Sequence, residues 1–342
     1  MSNNPLNVRG IEFLEYGSRD PGALASYFGK LGMTKTATHR SKAVDLYEQH
    51  DIRFMLSSEK GSYASAFATD HGPSISAMGW RVDDAEFAFN EAVKRGGKPY
   101  KGADQGYATK PLRAIYGIGD SLLYFIDEKD IYSQTFKRTA KDADRPNKLL
   151  RIDHLTNNVP KGEMQKWCDF YEKLFGFVNV RYFDIKGTKT GLISKVMALE
   201  DRSVMIPINE PSDGKSQIQE YLEEYHGPGI QHVALSVADI VDSVDRMTKL
   251  GVNFLDTPSS YYDTVKTRVH QITEDVAQLK RLKILADGDE EGYLLQIFTK
   301  NAIGPIFFEI IQRKNHWGFG NGNFQALFDA IERDQIARGY LK

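Results

Sequence analysis

Cysteine is nearly missing. Cys168 is the single one in 342 residues, which rules out an intrachain disulfide and fits a reducing compartment. Long apolar runs are missing too: no stretch approaches the roughly 20 residues that span a bilayer. The opening Met1-Ser-Asn-Asn-Pro5 lacks a basic start followed by an apolar core, so no secretory leader is expected. An excess of one charge sign is also absent. The 44 basic and 46 acidic residues give a formal charge of −2, with no global pull toward nucleic acid or membrane. A soluble cytoplasmic protein is the expectation. The length suits two domains better than one and allows a sizeable core. Cys168 falls in a helical pattern and reads as a small core filler.

What is present is a repeat. Residues 151–159 form a strand-like segment. Trp167, Phe170, Tyr171, Leu174 and Phe175 then recur at helical spacing, and Gly176 ends the helix as a left-handed cap. Strand patterns follow at 177–185, 191–199 and 203–209, and Pro211, Asp213 and Gly214 break the chain. The order returns with a strand at 230–237, a helix at 240–250 stopped by Gly251, and strands at 282–287, 293–298 and 306–312. The polar insert 258–281 reads as partly helical, and 216–225 as a helix. The first half carries a fainter version. Strands fall at 11–16, 44–48 and 53–57 with a helix at 21–31, and a fourth unit has strands at 77–82 and 121–127 with a helix at 84–96. Four βαβββ units thus pair into two α+β domains. Each is an open, barrel-like mixed sheet with helices outside, followed by a C-terminal helix at 324–339. The expected division is 1–140, a charged linker at 141–148 containing Pro146, and 149–342.

Three of these strands carry metal-ligand chemistry. His154, His232 and Glu309 are 78 and 77 residues apart, with the two histidines at matching places in related units. Two imidazoles and one carboxylate suit a mononuclear ferrous site with open positions, and also Zn, Mn, Ni or Co. Strand alternation puts His154 with Ile152 and Thr156, His232 with Ile230, Ala234 and Ser236, and Glu309 with Phe307 and Ile311. A carboxylate in so apolar a lining is costly without a cation. A lone strand histidine is more often a core or surface residue, and the other six of the eight histidines are expected to bind no metal. Aligning the halves places Phe13 and Ala77 at the first two ligand positions and Tyr124 or a neighbour at the third, so the first half reads as a structural copy without a metal.

The second half resembles the 4-hydroxyphenylpyruvate dioxygenase family of the vicinal oxygen chelate superfamily. The resemblance rests on Ile206-Pro-Ile-Asn-Glu-Pro211, Lys215-Ser-Gln-Ile-Gln-Glu220, Gly229-Ile-Gln-His232, Leu294-Leu-Gln-Ile-Phe298, Phe307-Phe-Glu309 and Gly318-Phe-Gly-Asn-Gly-Asn-Phe324. It spans about residues 150 to 342, and the first half fits the family's non-catalytic domain more loosely. It implies Fe(II) held by His154, His232 and Glu309. It also implies a substrate pocket with catalytic Ser194, Asn209, Gln217 and Gln296, and substrate-binding Gln231, Phe298, Phe307, Phe319, Phe324 and Phe328. Gln231 conflicts with alternation, because it neighbours His232. It needs either a bulge or a role behind the ligand. The phenylalanines read equally as core, and Asn209 as a turn former. The run 318–323 lacks the lysine of a phosphate-binding loop.

The implied reaction turns 4-hydroxyphenylpyruvate and dioxygen into homogentisate and carbon dioxide, in tyrosine and phenylalanine breakdown. The substrate supplies its own 2-oxo acid. The resemblance further implies a homo-oligomer, dimer or tetramer, and a lid role for the C-terminal helix. The nearest rival is 4-hydroxymandelate synthase, which uses the same substrate and metal and hydroxylates the benzylic carbon. A glyoxalase-type metal isomerase or lyase, needing no oxygen, and a non-catalytic or toxin-like binder are further rivals.

Overall fold

The computed structural model describes residues 3–102, 107, 111–127, 131–140 and 149–341. The expected linker 141–148 lies outside them. The first half runs β1 (Val8–Gly17), α1 (Pro21–Lys30), β2 (Thr34–His39), β3 (Val44–Gln49), β4 (Ile52–Ser57), α2 (Tyr63–His71), β5 (Ser74–Val82), α3 (Ala85–Lys94), β6 (Arg113–Tyr116), β7 (Leu122–Ile126) and β8 (Phe136–Arg138). The second runs β9 (Leu149–Asn158), α4 (Met164–Phe175), β10 (Val178–Lys186), β11 (Gly191–Ala198), β12 (Met205–Pro211), α5 (Gln217–Tyr225), β13 (Gly229–Val237) and α6 (Ile240–Lys249). It continues with α7 (Val265–Arg268), α8 (Val276–Leu282), β14 (Leu285–Gly288), β15 (Tyr293–Phe298), β16 (Phe307–Lys314) and α9 (Asn321–Ala337).

Each half forms one mixed sheet, with eight strands among the described residues. The orders are β6-β7-β5-β1-β4-β3-β2-β8 and β10-β11-β12-β9-β13-β16-β15-β14. In each, the first strands of the two modules pair antiparallel at the centre (β1 with β5, β9 with β13) and take parallel neighbours outside. The α+β reading therefore holds. The helix α4 ends where expected, because Gly176 adopts φ 72 and a left-handed cap. A Cβ there would also meet Asn3 O at 1.8 Å, so glycine is required twice over.

Helix faces pack on the outer sheet faces in one continuous core that joins the halves. Leu24 and Phe28 of α1, and Tyr171, Leu174 and Phe175 of α4, lie in the same cluster as Leu14, Trp80, Leu155 and Val233. Across the junction Trp80 stacks on Tyr171 at 6.3 Å and Tyr27 on Phe308 at 5.8 Å. His71 and His226 complete it reciprocally, through Tyr225 O at 2.7 Å and Asp70 O at 2.9 Å. Among the described residues no helix is long and apolar enough to cross a membrane.

The structure corrects two readings. The strand expected from 282 begins at Leu285, because α8 runs through Leu282 and Lys283 turns left-handed at φ 62. Strict alternation also fails beside both histidines. The register jumps from Ala234↔His154 to Leu235↔Ile152, and from Ile230↔Asn157 to His232↔Thr156. Asp153 and Gln231 are thus the extra residues of two β-bulges. Ile152 and Ile230 consequently face the helix-covered core with Leu155 and Val233, not the ligand side.

Candidate metal centre

The central strands bring His154, His232 and Glu309 together. His154 Nε2 lies 3.1 Å from Glu309 Oε2, and His232 Nε2 lies 3.4 Å from the same oxygen. One ligand atom from each residue falls within 4.8 Å of the others, and all three residues are buried. The register explains the convergence: His154 pairs with Ala234, and Ala234 with Glu309 across the parallel β13·β16 pair. Three adjacent strands thus aim their ligands at one point.

The rear nitrogens are engaged. His154 Nδ1 stands 2.8 Å from Asp153 Oδ1, and His232 Nδ1 stands 3.1 Å from Gln231 Oε1. Each acceptor favours a proton on Nδ1, so that Nε2 is the nitrogen left to bind a metal. Both acceptors are the bulged residues, which is how a residue adjacent to a ligand reaches that ligand's ring. Glu309 Oε1 accepts from Gln296 Nε2 at 2.8 Å, and Gln296 Oε1 accepts from Asn323 Nδ2 at 2.8 Å. Tyr261 donates to Asn323 Oδ1 at 2.6 Å.

The electrostatics favour a cation. Burial pushes the Glu309 carboxyl up, yet the two imidazoles outweigh it and hold the group down at about 2. Burial lowers His154, but Glu309 and Asp153 raise it to about 9. His232, facing only a neutral amide behind, is lowered by burial. Two imidazole nitrogens and a carboxylate oxygen with no thiolate fit a divalent first-row metal.

A narrow cavity opens at the three side chains. Of the residues singled out in the sequence, Ser194, Asn209, Gln296, Phe298, Phe319 and Phe324 line it. Phe319 stands 5.1 Å from the His154 ring. Ser194 Oγ and Asn209 Oδ1 are buried without a partner among the described residues, although Asn209 Nδ2 donates to Asn158 Oδ1 at 3.2 Å. Asn209 lies within β12 and is not a turn former.

Four expected pocket residues lie elsewhere. Phe307 stacks on the back of His232 at 4.8 Å. With Gln217 and Gln231 it lines a neighbouring groove that also carries Glu220 and Arg338. Phe328 packs in the core against the β10–β11 turn, where a Cβ on Gly187 would meet its ring at 2.4 Å. The groove and the turn lie along α9, whose inward face is longer than the cavity. Sequence reasoning placed Thr156 on the His154 face but missed Phe183, Val196 and Pro207 of the lining. It also missed Asp153, Asn323 and Arg313 behind the ligands. Arg313 shares the strand parity of Glu309, and a cation on the buried face of that strand was the available signal.

Comparison with known proteins matches this arrangement. A family model described as hydroxyphenylpyruvate dioxygenase, N-terminal, matches residues 2–138. One described as the glyoxalase/bleomycin resistance protein/dioxygenase superfamily matches residues 151–297. Protein MelA of Shewanella colwelliana is 51% identical over 99% of each chain. The 4-hydroxyphenylpyruvate dioxygenase of Legionella pneumophila strain Corby is 44% identical over 100% of this chain and 99% of its own. A solved triple mutant of 4-hydroxymandelate synthase from Streptomyces coelicolor superposes with a TM-score of 0.85 at 25% identity, covering 96% of this chain and 99% of its own. With full-length relatives at this identity and a metal-ligand set on the expected strands, the chain belongs to the 4-hydroxyphenylpyruvate dioxygenase family of the vicinal oxygen chelate superfamily.

Proposed function

We propose that this protein is an Fe(II)-dependent dioxygenase converting 4-hydroxyphenylpyruvate and dioxygen into homogentisate and carbon dioxide, a step of tyrosine breakdown. The observation that carries the reading is the convergence of His154 Nε2, His232 Nε2 and a Glu309 oxygen at the floor of an aromatic cavity. Iron bound there supplies dioxygen activation, with the substrate's own 2-oxo acid as the reductant. The chain binds, orients and shields. Phe298, Phe319, Phe324 and Phe183 offer ring edges and faces to a phenyl group and exclude water. Ser194 Oγ and Asn209 Oδ1, buried without partners among the described residues, suit a phenol hydroxyl or a carboxylate, because a buried polar group must be paired. Gln296 fixes the Glu309 carboxylate from the side. Residues 149–342 carry the chemistry, and 1–140 serve as a structural copy.

Full-length relatives named 4-hydroxyphenylpyruvate dioxygenase at 44% identity favour ring hydroxylation over the 4-hydroxymandelate synthase alternative, whose solved relative is at 25%. The test is anaerobic Fe(II) loading, then substrate and oxygen. The two products are isomers, so chromatographic mobility against standards identifies them. Homogentisate supports the proposal, 4-hydroxymandelate transfers the protein to the rival reaction, and turnover without oxygen uptake overturns both. His232→Ala and Glu309→Ala stay folded but lose iron and turnover, and normal product from either refutes the ligand assignment.

A further inference from the structure

Arg313 lies four residues beyond Glu309 on β16 and donates from all three guanidinium nitrogens. Nε and Nη2 donate to the two oxygens of Asp153 at 2.8 and 2.7 Å, and Nη1 donates to the carbonyls of His316 and Gly318 at 3.1 and 2.7 Å. The Asp153 side chain is fully buried and that of Arg313 is 10% exposed. Asp153 Oδ1, held by that guanidinium, is the atom facing His154 Nδ1. The guanidinium also lies 5.5 Å from the centre of the Phe319 ring. One strand therefore supplies a metal ligand, clamps the carboxylate behind a second ligand, and anchors the loop bearing a cavity aromatic.

We propose that Asp153 and Arg313 are a positioning pair for His154. They fix its ring plane and its Nδ1 proton, and so make it the more firmly held imidazole of the two. This rests on the metal-site reading above. A carboxylate gripped at both oxygens cannot rotate, so its hydrogen bond sets the imidazole's orientation and strengthens its far nitrogen as a donor. His232 lacks this arrangement, since the neutral Gln231 amide meets its Nδ1 at 3.1 Å. Stability alone is a weak reason to keep such a pair, because two buried charges lose much of their mutual attraction to desolvation.

The first half supplies a natural control. The register there skips Glu12 between Ile11 and Phe13, so Glu12 occupies the place of Asp153. Arg81 grips it, yet the next residue is Phe13, not a histidine. An acid–arginine pair thus also serves the bulge itself, and the test must separate structure from ligand positioning.

The experiment uses the full chain stripped of metal and titrated with Co(II) against a chromophoric chelator. The visible Co(II) spectrum and the metal-free unfolding midpoint are recorded alongside. Asp153→Asn keeps the shape and removes the charge. Asp153→Asn with Arg313→Met leaves no unpaired buried cation, and so decides the matter if the single variant does not fold. Both are expected to bind Co(II) about 10- to 100-fold more weakly with a shifted spectrum, at temperatures where the metal-free protein is folded. A folded variant with Co(II) affinity within about twofold of the parent and an unchanged spectrum overturns the proposal. A parent that binds no Co(II), or a His232→Ala variant that binds as tightly as the parent, overturns the metal-site reading itself, and the positioning role with it.

Discussion

Replacing Glu332 with alanine should loosen α9 from the mouth of the cavity while leaving the rest of the fold in place. Glu332 is buried and ties the helix to the β10–β11 turn. Its carboxylate accepts from Thr188 N at 2.9 Å, Lys189 N at 3.0 Å, Thr190 N at 2.9 Å and Thr190 Oγ1 at 3.0 Å. Hydrogen bonds to a charged acceptor contribute about 1.5–3 kcal/mol each, and exposed donors recover much of that from water. Losing this set therefore costs roughly 2–4 kcal/mol of docking free energy, net of recovered solvation. At tenfold per 1.4 kcal/mol, the undocked population rises about 30- to 700-fold. Hydrogen exchange of α9 amides reads this directly, as does proteolysis between 318 and 341. Because Phe324 and Leu327 of the same helix line the cavity, substrate affinity should fall with it. The pH dependence has a definite sign. Burial raises the Glu332 carboxyl, and the backbone donors of Lys189 and Thr188 outweigh that and hold it below its usual 4.5. A group depressed in the docked state stabilises docking above its undocked value and loses that as pH falls through the docked one. Protection of α9 in the parent should thus decline below about pH 4.5. In the alanine variant that decline should vanish. Parent-like exchange in α9 at neutral pH would refute the reasoning.

Two further outcomes follow from the site and its copy. With His154 raised to about 9, a metal must displace its proton at neutral pH. Metal uptake should therefore release close to one proton, and apparent affinity should climb with pH until about 9; calorimetry in buffers of different ionisation enthalpy checks this, and uptake without proton release contradicts it. In the first half, Phe13 pairs with Gly79, and Gly79 with Tyr124, as His154 pairs with Ala234 and Ala234 with Glu309. The combined Phe13→His, Ala77→His and Tyr124→Glu variant should bind a second equivalent of divalent metal, and a folded variant that binds only one would show that the copy no longer holds ligand geometry.

The His154, His232 and Glu309 cluster was legible because periodicity and repetition survive in a single chain. His154 and His232 occupy matching strands of two modules, and the glycines that end α4 and α6 adopt φ 72 and 86. The register puts Phe13, Ala77 and Tyr124 at the places of the ligands, and so fixes the third position, which aligning the halves leaves open to a neighbour of Tyr124. Other elements left weaker traces. The strands β2, β6 and β8 lie at or near the sheet edge and run for only six, four and three residues, which leaves alternation few positions in which to show. The helix α2 announces itself only by Ser62, whose side chain accepts from Ser65 N.

The bulge at Gln231 was one of the two alternatives raised by its place beside His232, and the structure has both the bulge and the contact on His232 Nδ1; the one at Asp153 was out of reach for a more specific reason. Alternation assumes one residue per pleat, and a single inserted residue reverses the facing of everything beyond it. The visible mark is apolar spacing of three: Ile152 to Leu155 and Ile230 to Val233 enter the outer core together. The first half shows the same spacing at Ile11 to Leu14 and Ile75 to Met78, with register jumps at Glu12 and Ser76. A chain that had lost its ligands for no structural reason would have been free to straighten these strands. Their retention beside Phe13 and Ala77 means that the bulges belong to the module before they belong to the metal. The kink turns the inner face of each central strand toward one point. Whether that point holds a metal depends on which side chains stand there: imidazole and carboxylate in one sheet, and phenyl, methyl and phenol in the other.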